Sequence, residues 1–593
     1  MREHWRALAL LVGTAWRADP WRSAGLLLEP VGQLAAPLFA WFLKLMVDGA
    51  SRQDLRLVAM GAGGIILVRA IGFMSGWAGG WIRLRLSEQV GFVLDRRIAT
   101  LTAGLPGVEH HERADYMDRL ELLRQGQGVL GSSLNSLINT ANALVAGVGT
   151  VVVLTFATPW LLFLVPFALP AVPFAAVKQR WFRRAEEQAA PISRRARYLQ
   201  ELTVDRNAGM ELRVFGLQRE VLGRFRRNWL ESQAIGLDLE RRSMLLDTVA
   251  DLVFLVGFTG AVGLMLWRAG RGQASVGDVV MAIYLTQQVR GRIVAPVWWI
   301  SSLGTALRAA GRVLWLQDYA RGASLAGAGS EPAPARLVDG IVFDRVSFRY
   351  PGTEQWALRD VSFRVPAGAV IALVGENGAG KTTLVKLLSR MYEPTEGRIL
   401  VDGVELSRIG VEEWRGRLSA AFQDFTRLEF SAQHTVGVGD LPRLDDEGAV
   451  RAALGRAGAA DVLERLPEGA ATQLGAKWEG GVDLSTGQWQ KLALGRALMR
   501  EDPLLVFFDE PTASLDALAE HALFERYTRE ARSGSERGSV TVLVSHRFST
   551  VRSADLILVV AGGGVAELGS HEELLLRDGL YASLYQLQAR AYA

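Results

Sequence analysis

The chain has 593 residues, 49% of them hydrophobic and 22% charged, with a mean hydropathy of +0.15, values that exclude a single domain and average over two unlike halves. The formal net charge of +4 is small for this length and gives no reason to expect a nucleic-acid partner. Cysteine is absent, which excludes a disulfide framework, a cysteine metal site and a thiol nucleophile.

Met1 to Pro20 shows no small-residue cleavage site after a short apolar core, so a removed signal peptide is not expected. Trp5, Leu8, Leu10, Leu11 and Trp16, interleaved with Arg2, Arg6 and Arg17, read as an amphipathic helix at a membrane interface or as a frayed terminus. Apolar spans follow at Ala24 to Val47, Leu57 to Ile82, Leu134 to Thr155, Trp160 to Val177, Leu246 to Trp267 and Val276 to Leu303, each near the ~20 residues that cross a bilayer core. Six transmembrane helices are therefore expected. The last is interrupted by Gln287, Gln288, Arg290 and Arg292, which belong against protein or water. Lys178, Arg180, Arg183, Arg184, Arg194, Arg195 and Arg197 crowd the segment after the fourth span, which places the long connections in the cytoplasm. Those connections are helical in pattern, so the membrane helices are expected to continue well beyond the bilayer. One turn in each, around Glu112 to Leu122 and Gly209 to Phe215, is placed to touch a soluble domain. Glu29, Pro30, Lys44, Arg69, Asn135, Asn139 and Asn142 stand out within the spans. The three asparagines share a helix face, as a polar cavity wall or as interhelical hydrogen bonders.

Residues 320–340, rich in Ala, Gly, Pro and Ser, read as a linker between a membrane domain (1–319) and a soluble domain (341–593). In the soluble half, the apolar run Val370 to Val374 leads into Gly375-Glu376-Asn377-Gly378-Ala379-Gly380-Lys381-Thr382-Thr383 and then an amphipathic helix pattern. Strand, glycine-rich turn and helix make a phosphate cradle. Backbone amides of Gly375, Asn377, Gly378 and Gly380 converge on a polyphosphate, Lys381 reaches the β- and γ-phosphates, and Thr382 and Thr383 stand at the helix start, Thr382 as a Mg²⁺ ligand. Tyr350, shortly before it, is either an adenine-stacking aromatic or a plain strand residue. Leu504 to Phe508 is an apolar strand ending in Asp509 and Glu510, at the edge where open α/β sheets bind ligands. Asp509 would hold Mg²⁺ and Glu510 would polarise the attacking water.

Leu484-Ser485-Thr486-Gly487-Gln488 resembles the signature motif of ABC transporters. Gln423 matches that family's Q-loop, Ser514-Leu515-Asp516 its D-loop and His546 its switch histidine. With the preceding spans, the resemblance covers nearly the whole chain and is to an exporter-type half-transporter. It implies an all-α six-helix transmembrane domain followed by an α/β P-loop ATPase domain. It also implies ATP and Mg²⁺ as cofactors, Gln423 near the metal and the water, and a bacterial plasma membrane location with the ATPase domain cytoplasmic. A second half-transporter chain, with a homodimer favoured over a heterodimer, would bring its Ser485, Gly487 and Gln488 to the γ-phosphate, with Asp516 and His546 at the same interface. Thr486 departs from the usual two glycines. Glu479-Gly480-Gly481, together with Trp478 and the continuation Gln488-Trp489-Gln490-Lys491, looks closer to bacterial peptide and lantibiotic exporters than to lipid flippases. The implied activity is ATP-driven export, by alternating access, of an amphipathic, peptide or lipid-like substrate not identified by the sequence. An importer of the same architecture and a membrane-anchored regulatory ATPase are the alternatives.

Overall fold

A computed structural model describes residues 2–33, 35–157, 159–326, 329–509, 537–545 and 551–592. The chain divides into two compact units. One comprises Met1–Ala103 with Arg119–Asp318, and the other Gly104–Asp118 with Tyr319–Ala593.

The first unit is helical. Its opening segment is a helix from Arg2 to Ala18 that buries Ala7, Leu11, Thr14 and Ala15 and leaves Trp5 and Trp16 exposed, so an amphipathic helix and not a frayed end forms there. Helices Leu55–Ala103, Gln218–Gly270 and Val276–Ala326 have 49, 53 and 51 residues. At ~1.5 Å per residue they run roughly 75–80 Å, far beyond the ~30 Å of a bilayer core. Three helices among the described residues are long and apolar enough to cross a membrane: Leu55–Ala103, Gln218–Gly270 and Val276–Ser324. They contain the second, fifth and sixth expected spans, and Ser133–Ala157 contains the third. Ile66, Phe73, Trp77, Leu252 and Val256 remain exposed on these helices, as apolar groups do when lipid is the solvent.

The first and fourth expected spans are not single helices. Residues of the first fall into Pro20–Gly25, a 3₁₀ turn Leu26–Leu28, Glu29–Gly32 and Ala35–Ser51. The fourth is split into a 3₁₀ turn Pro159–Phe163, then Leu164–Ala168 and Ala171–Val204. Pro30, Pro159, Pro166 and Pro170 lack the amide hydrogen and crowd the preceding turn, which breaks the ladder.

Polar groups in the spans are paired between helices. Asn142 Nδ2 donates to Glu29 Oε1 at 3.0 Å, Arg83 Nη2 lies 3.4 Å from the same oxygen, and Arg83 Nη1 donates to Asn139 Oδ1 at 2.8 Å. Glu29 and Asn142 are both more than nine-tenths buried. For Asn139 and Asn142 the interhelical alternative is the one that forms. Lys44 pairs with Asp278 at 2.5 Å, Arg290 with Asp251, and Arg292 reaches Gln33 and Gln288 at 3.4 Å.

In the second unit the strands are β1 Ile341–Phe348, β2 Leu358–Val365, β3 Val370–Val374, β4 Glu396–Val401, β5 Val404–Glu405, β6 Leu418–Ala421, β7 Leu505–Asp509, β8 Val540–Val544, β9 Leu556–Ala561 and β10 Gly564–Gly569. They form a four-stranded sheet, order β2-β1-β4-β5, and a six-stranded sheet, order β10-β9-β3-β8-β7-β6. The second is parallel from β9 to β6. β3 and β8 are buried at every residue, the continuous apolar run that a sheet covered on both faces demands. Alternation sends Val370, Ala372 and Val374 into one core with Trp489 and Phe508. Ile371 and Leu373 enter the other, with Trp414 and Phe507. The expected linker, 320–340, begins inside a helix, since Val276–Ala326 runs through residues 320–326.

Candidate functional site

β3 sits inside the parallel sheet, so its C-terminal end delivers Gly375 to Gly380 to the ligand edge. Backbone at Gly380 is left-handed, φ 114°, where an L side chain is strained. At Gly375 a Cβ would fall 2.2 Å from the Val560 carbonyl oxygen. The loop then turns into the helix Lys381–Leu388. Lys381 is buried, and its Nζ donates to the carbonyls of Gly375 at 2.8 Å and Glu376 at 3.0 Å. Its charge is thus held inside the loop, where phosphates would meet it. Thr382 is exposed at the first turn of the helix, whereas Thr383 is buried and its Oγ1 bonds the Tyr350 hydroxyl at 3.0 Å. Beside the loop is a cavity of about 660 Å³ lined by Tyr350, Trp356, Asn377, Gly378, Gly563 and Leu584.

Asp509 ends β7 and is in register with Val544 of β8, which is in register with Leu373 of β3. Two strand spacings of ~4.8 Å place Asp509 roughly 10 Å from the start of the phosphate loop, along the same edge. Gln423 is exposed two residues beyond β6, the next strand over. A hydroxyl, a carboxylate and an amide oxygen on one sheet edge are hard donors of the kind Mg²⁺ takes, so Thr382, Asp509 and Gln423 fit that ion. Glu510, Asp516 and His546 lie outside the described residues.

Ser485 caps the helix Thr486–Ala497. Its side chain accepts from the Gln488 amide at 3.3 Å while Gln488 Oε1 accepts from the Ser485 amide at 2.9 Å. This reciprocal cap fixes the helix start, and Ser485 and Thr486 are exposed there, with the positive end of the helix facing outward. The Thr486 hydroxyl accepts from Arg427 at 3.3 Å. Its extra side chain is therefore tied to the segment following Gln423. Trp478 Nε1 donates to Glu429 at 2.9 Å, and Lys477 pairs with the same carboxylate at 2.9 Å, which fastens the loop carrying Glu479 to Gly481.

Of the expected contact turn Glu112 to Leu122, Glu112 to Asp118 belongs to the second unit, within Gly104–Asp118, whereas Arg119 to Leu122 belongs to the first. Arg415 bonds the Pro106 carbonyl, Lys386 Nζ pairs with Glu112 Oε1 at 2.6 Å, and the Tyr392 hydroxyl donates to Glu112 Oε2 at 2.5 Å. Lys386 and Tyr392 were missed; the signal was that Lys386 stands on the same helix as Lys381. In the other connection, Met210 and Val214 are exposed on a helix, Arg206–Val214, capped by Asp205 at its start and ending at the exposed Phe215.

His110 of the contact turn is buried, and its Nδ1 has no hydrogen-bond partner among the described residues. Burial, and then the neighbouring His111, hold its pKa below 6.5, against the pull of Glu109. A histidine whose folded pKa is depressed contributes its full stability above the unfolded value and loses it as pH falls from there through the folded one. Thermal midpoints are expected to drop between about pH 7.5 and about pH 5.5, with a shallower slope in His110→Gln. Equal slopes would remove His110 as the cause.

The ABC transporter family model matches residues 358–513. An ATP-dependent lipid A-core flippase of Chromobacterium violaceum is 30% identical over 578 residues, covering 94% of this chain and 93% of the relative. Another, of Albidiferax ferrireducens, is 28% identical, covering 99% and 97%. A solved bacterial Atm1-family ABC exporter with ATP bound shares the fold, with a TM-score of 0.79 at 24% identity over 97% of this chain and 98% of that one. The motif-based preference for peptide exporters over lipid flippases rests on Trp478 to Gly481 and Gln488 to Lys491. These relatives, matched over nearly the whole length, are named as flippases.

Proposed function

The chain belongs to the ABC transporter family as an exporter-type half-transporter whose ATPase is coupled to transport, and we propose that it moves an amphipathic, lipid-like substrate across a bacterial plasma membrane by alternating access. The observation that carries this reading is the joining, in one chain, of a phosphate cradle to helices of 49–53 residues with exposed apolar faces. The relatives named as flippases support a lipid-like cargo.

Two copies of the chain would form the working unit. The capped, outward-facing start of helix Thr486–Ala497 offers Ser485 and the amides of Thr486 and Gly487, with Gln488 fixing the cap, to the γ-phosphate held by the other copy's Lys381. Asp516 and His546 would act at the same interface. Thr382, Asp509 and Gln423 would hold Mg²⁺, which supplies charge neutralisation on the β- and γ-phosphates. Glu510 would orient the attacking water, and Tyr350 would receive the adenine. ATP thus joins the two domains and hydrolysis releases them.

In proteoliposomes, ATP turnover is expected to rise severalfold with an amphipathic glycolipid, and a labelled lipid is expected to change leaflet only with ATP. Inside-out vesicles should show movement away from the ATP side. Hydrolysis indifferent to every lipid tested, with no leaflet change, would point to a regulatory ATPase, and movement toward the ATP side to an importer.

A further inference from the structure

Glu112 lies on the connection between two membrane helices, and both of its carboxylate oxygens are engaged within the second unit, Oε1 by Lys386 and Oε2 by Tyr392. Lys386 sits five residues beyond Lys381 on the helix that starts at the phosphate loop. Its Nζ stands 5.1 Å from the centre of the Tyr350 ring and 5.9 Å from that of Tyr392, inside cation–π range. The Tyr350 and Tyr392 rings meet edge to face at 5.5 Å, and the Tyr350 hydroxyl is bonded to Thr383. One ammonium therefore joins a carboxylate of the connection to the aromatic beside the nucleotide cavity.

We propose that Glu112, Lys386 and Tyr392 are positioning residues that set the pose of Tyr350, so that the seating of the membrane connection tunes ATP affinity. This rests on Tyr350 receiving the adenine. Glu112 fixes Lys386 by charge and Tyr392 by a hydrogen bond; Lys386 in turn holds the Tyr350 ring from one side while Tyr392 braces it edge-on. Lifting the connection withdraws the carboxylate, frees the ammonium and loosens the ring. Linkage is reciprocal: whatever ATP affinity is lost on lifting the connection is returned as firmer seating when ATP binds. Burial works against the Lys386 charge, but Glu112 and Tyr350 outweigh it and hold the amine above its ordinary pKa, so the cation persists through the neutral range.

The test compares steady-state ATPase of the full-length protein in nanodiscs. Glu112→Gln and Lys386→Met are each expected to raise KM for ATP about fivefold with kcat within about twofold, and Tyr392→Phe, which removes one hydroxyl, is expected to raise KM in the same direction. Lys386→Arg, which keeps a cation beside both rings, is expected to stay near the parental KM. The exchanged pair Glu112→Lys with Lys386→Glu, which restores the ion pair but puts a carboxylate beside the Tyr350 ring, is expected to keep the raised KM, a split that a merely structural ion pair would not produce. Unchanged KM in Glu112→Gln and Tyr392→Phe, with Tyr350→Ala raising it, would overturn the tuning and leave the adenine role standing. An unchanged KM in Tyr350→Ala would overturn the adenine role itself.

Discussion

Lys381→Ala is expected to lower ATP turnover by at least about 100-fold, the loss typical when a charged donor to a developing phosphate charge is removed. Lys381 Nζ is held by the carbonyls of Gly375 and Glu376, so the ammonium sits in the concavity of the loop at the start of a helix, buried from water. In that setting its charge is screened less than on a surface. Alanine removes the charge and takes a donor from the Gly375 and Glu376 carbonyls, of which Glu376 keeps the Ala379 amide, and this also loosens the loop. Lys381→Arg is expected to fail nearly as badly, because a planar guanidinium does not fit between those two carbonyls. The measurement is ATPase rate and nucleotide affinity on protein shown by thermal unfolding to be folded. Turnover within about threefold of the parent would dismiss the phosphate role.

That site was legible in the sequence because its chemistry is local. Gly375 to Thr383 must be contiguous to wrap a phosphate, and Asp509 is announced by the buried strand that ends at it. What was not legible depends on residues far apart. Glu112 gives no sign that its carboxylate will meet Lys386, 274 positions away, because the pairing is set by how a connection docks. Asn139 and Asn142 were visible as one polar face, but Arg83 and Glu29, 56 and 113 positions away, decide that the face is bonded between helices. A hydropathy window averages over Pro30 and Pro166 and sees an apolar span, whereas the backbone registers the missing amide hydrogens as breaks. Thr486 shows in the sequence only as a departure from two glycines, and the contact with Arg427 shows where its hydroxyl goes.

Glu29→Ala is expected to destabilise the helical unit by about 3–5 kcal/mol, the range for removing one member of a buried charged pair. Glu29 is 5% exposed and takes both the Asn142 amide and the Arg83 guanidinium on a single oxygen. Gly79 gives it room, since a Cβ there would lie 2.9 Å from the carboxylate. Removing the carboxylate leaves the partly buried Arg83 guanidinium with Asn139 as its partner but no counter-charge, and the Asn142 amide unmatched. The pair is nevertheless not expected to be a net source of stability, because taking both charges out of water costs about as much as their attraction returns. Glu29→Leu combined with Arg83→Met strands no charge, only the amides of Asn139 and Asn142, and should therefore melt a little below the parent in detergent, while each single change melts several degrees lower. If the double variant is stable and still hydrolyses ATP but no longer moves lipid, the network acts in the cargo path. If it moves lipid at the parental rate, the charges serve helix register alone, and equal midpoints for parent and single variants would dismiss the ion pair.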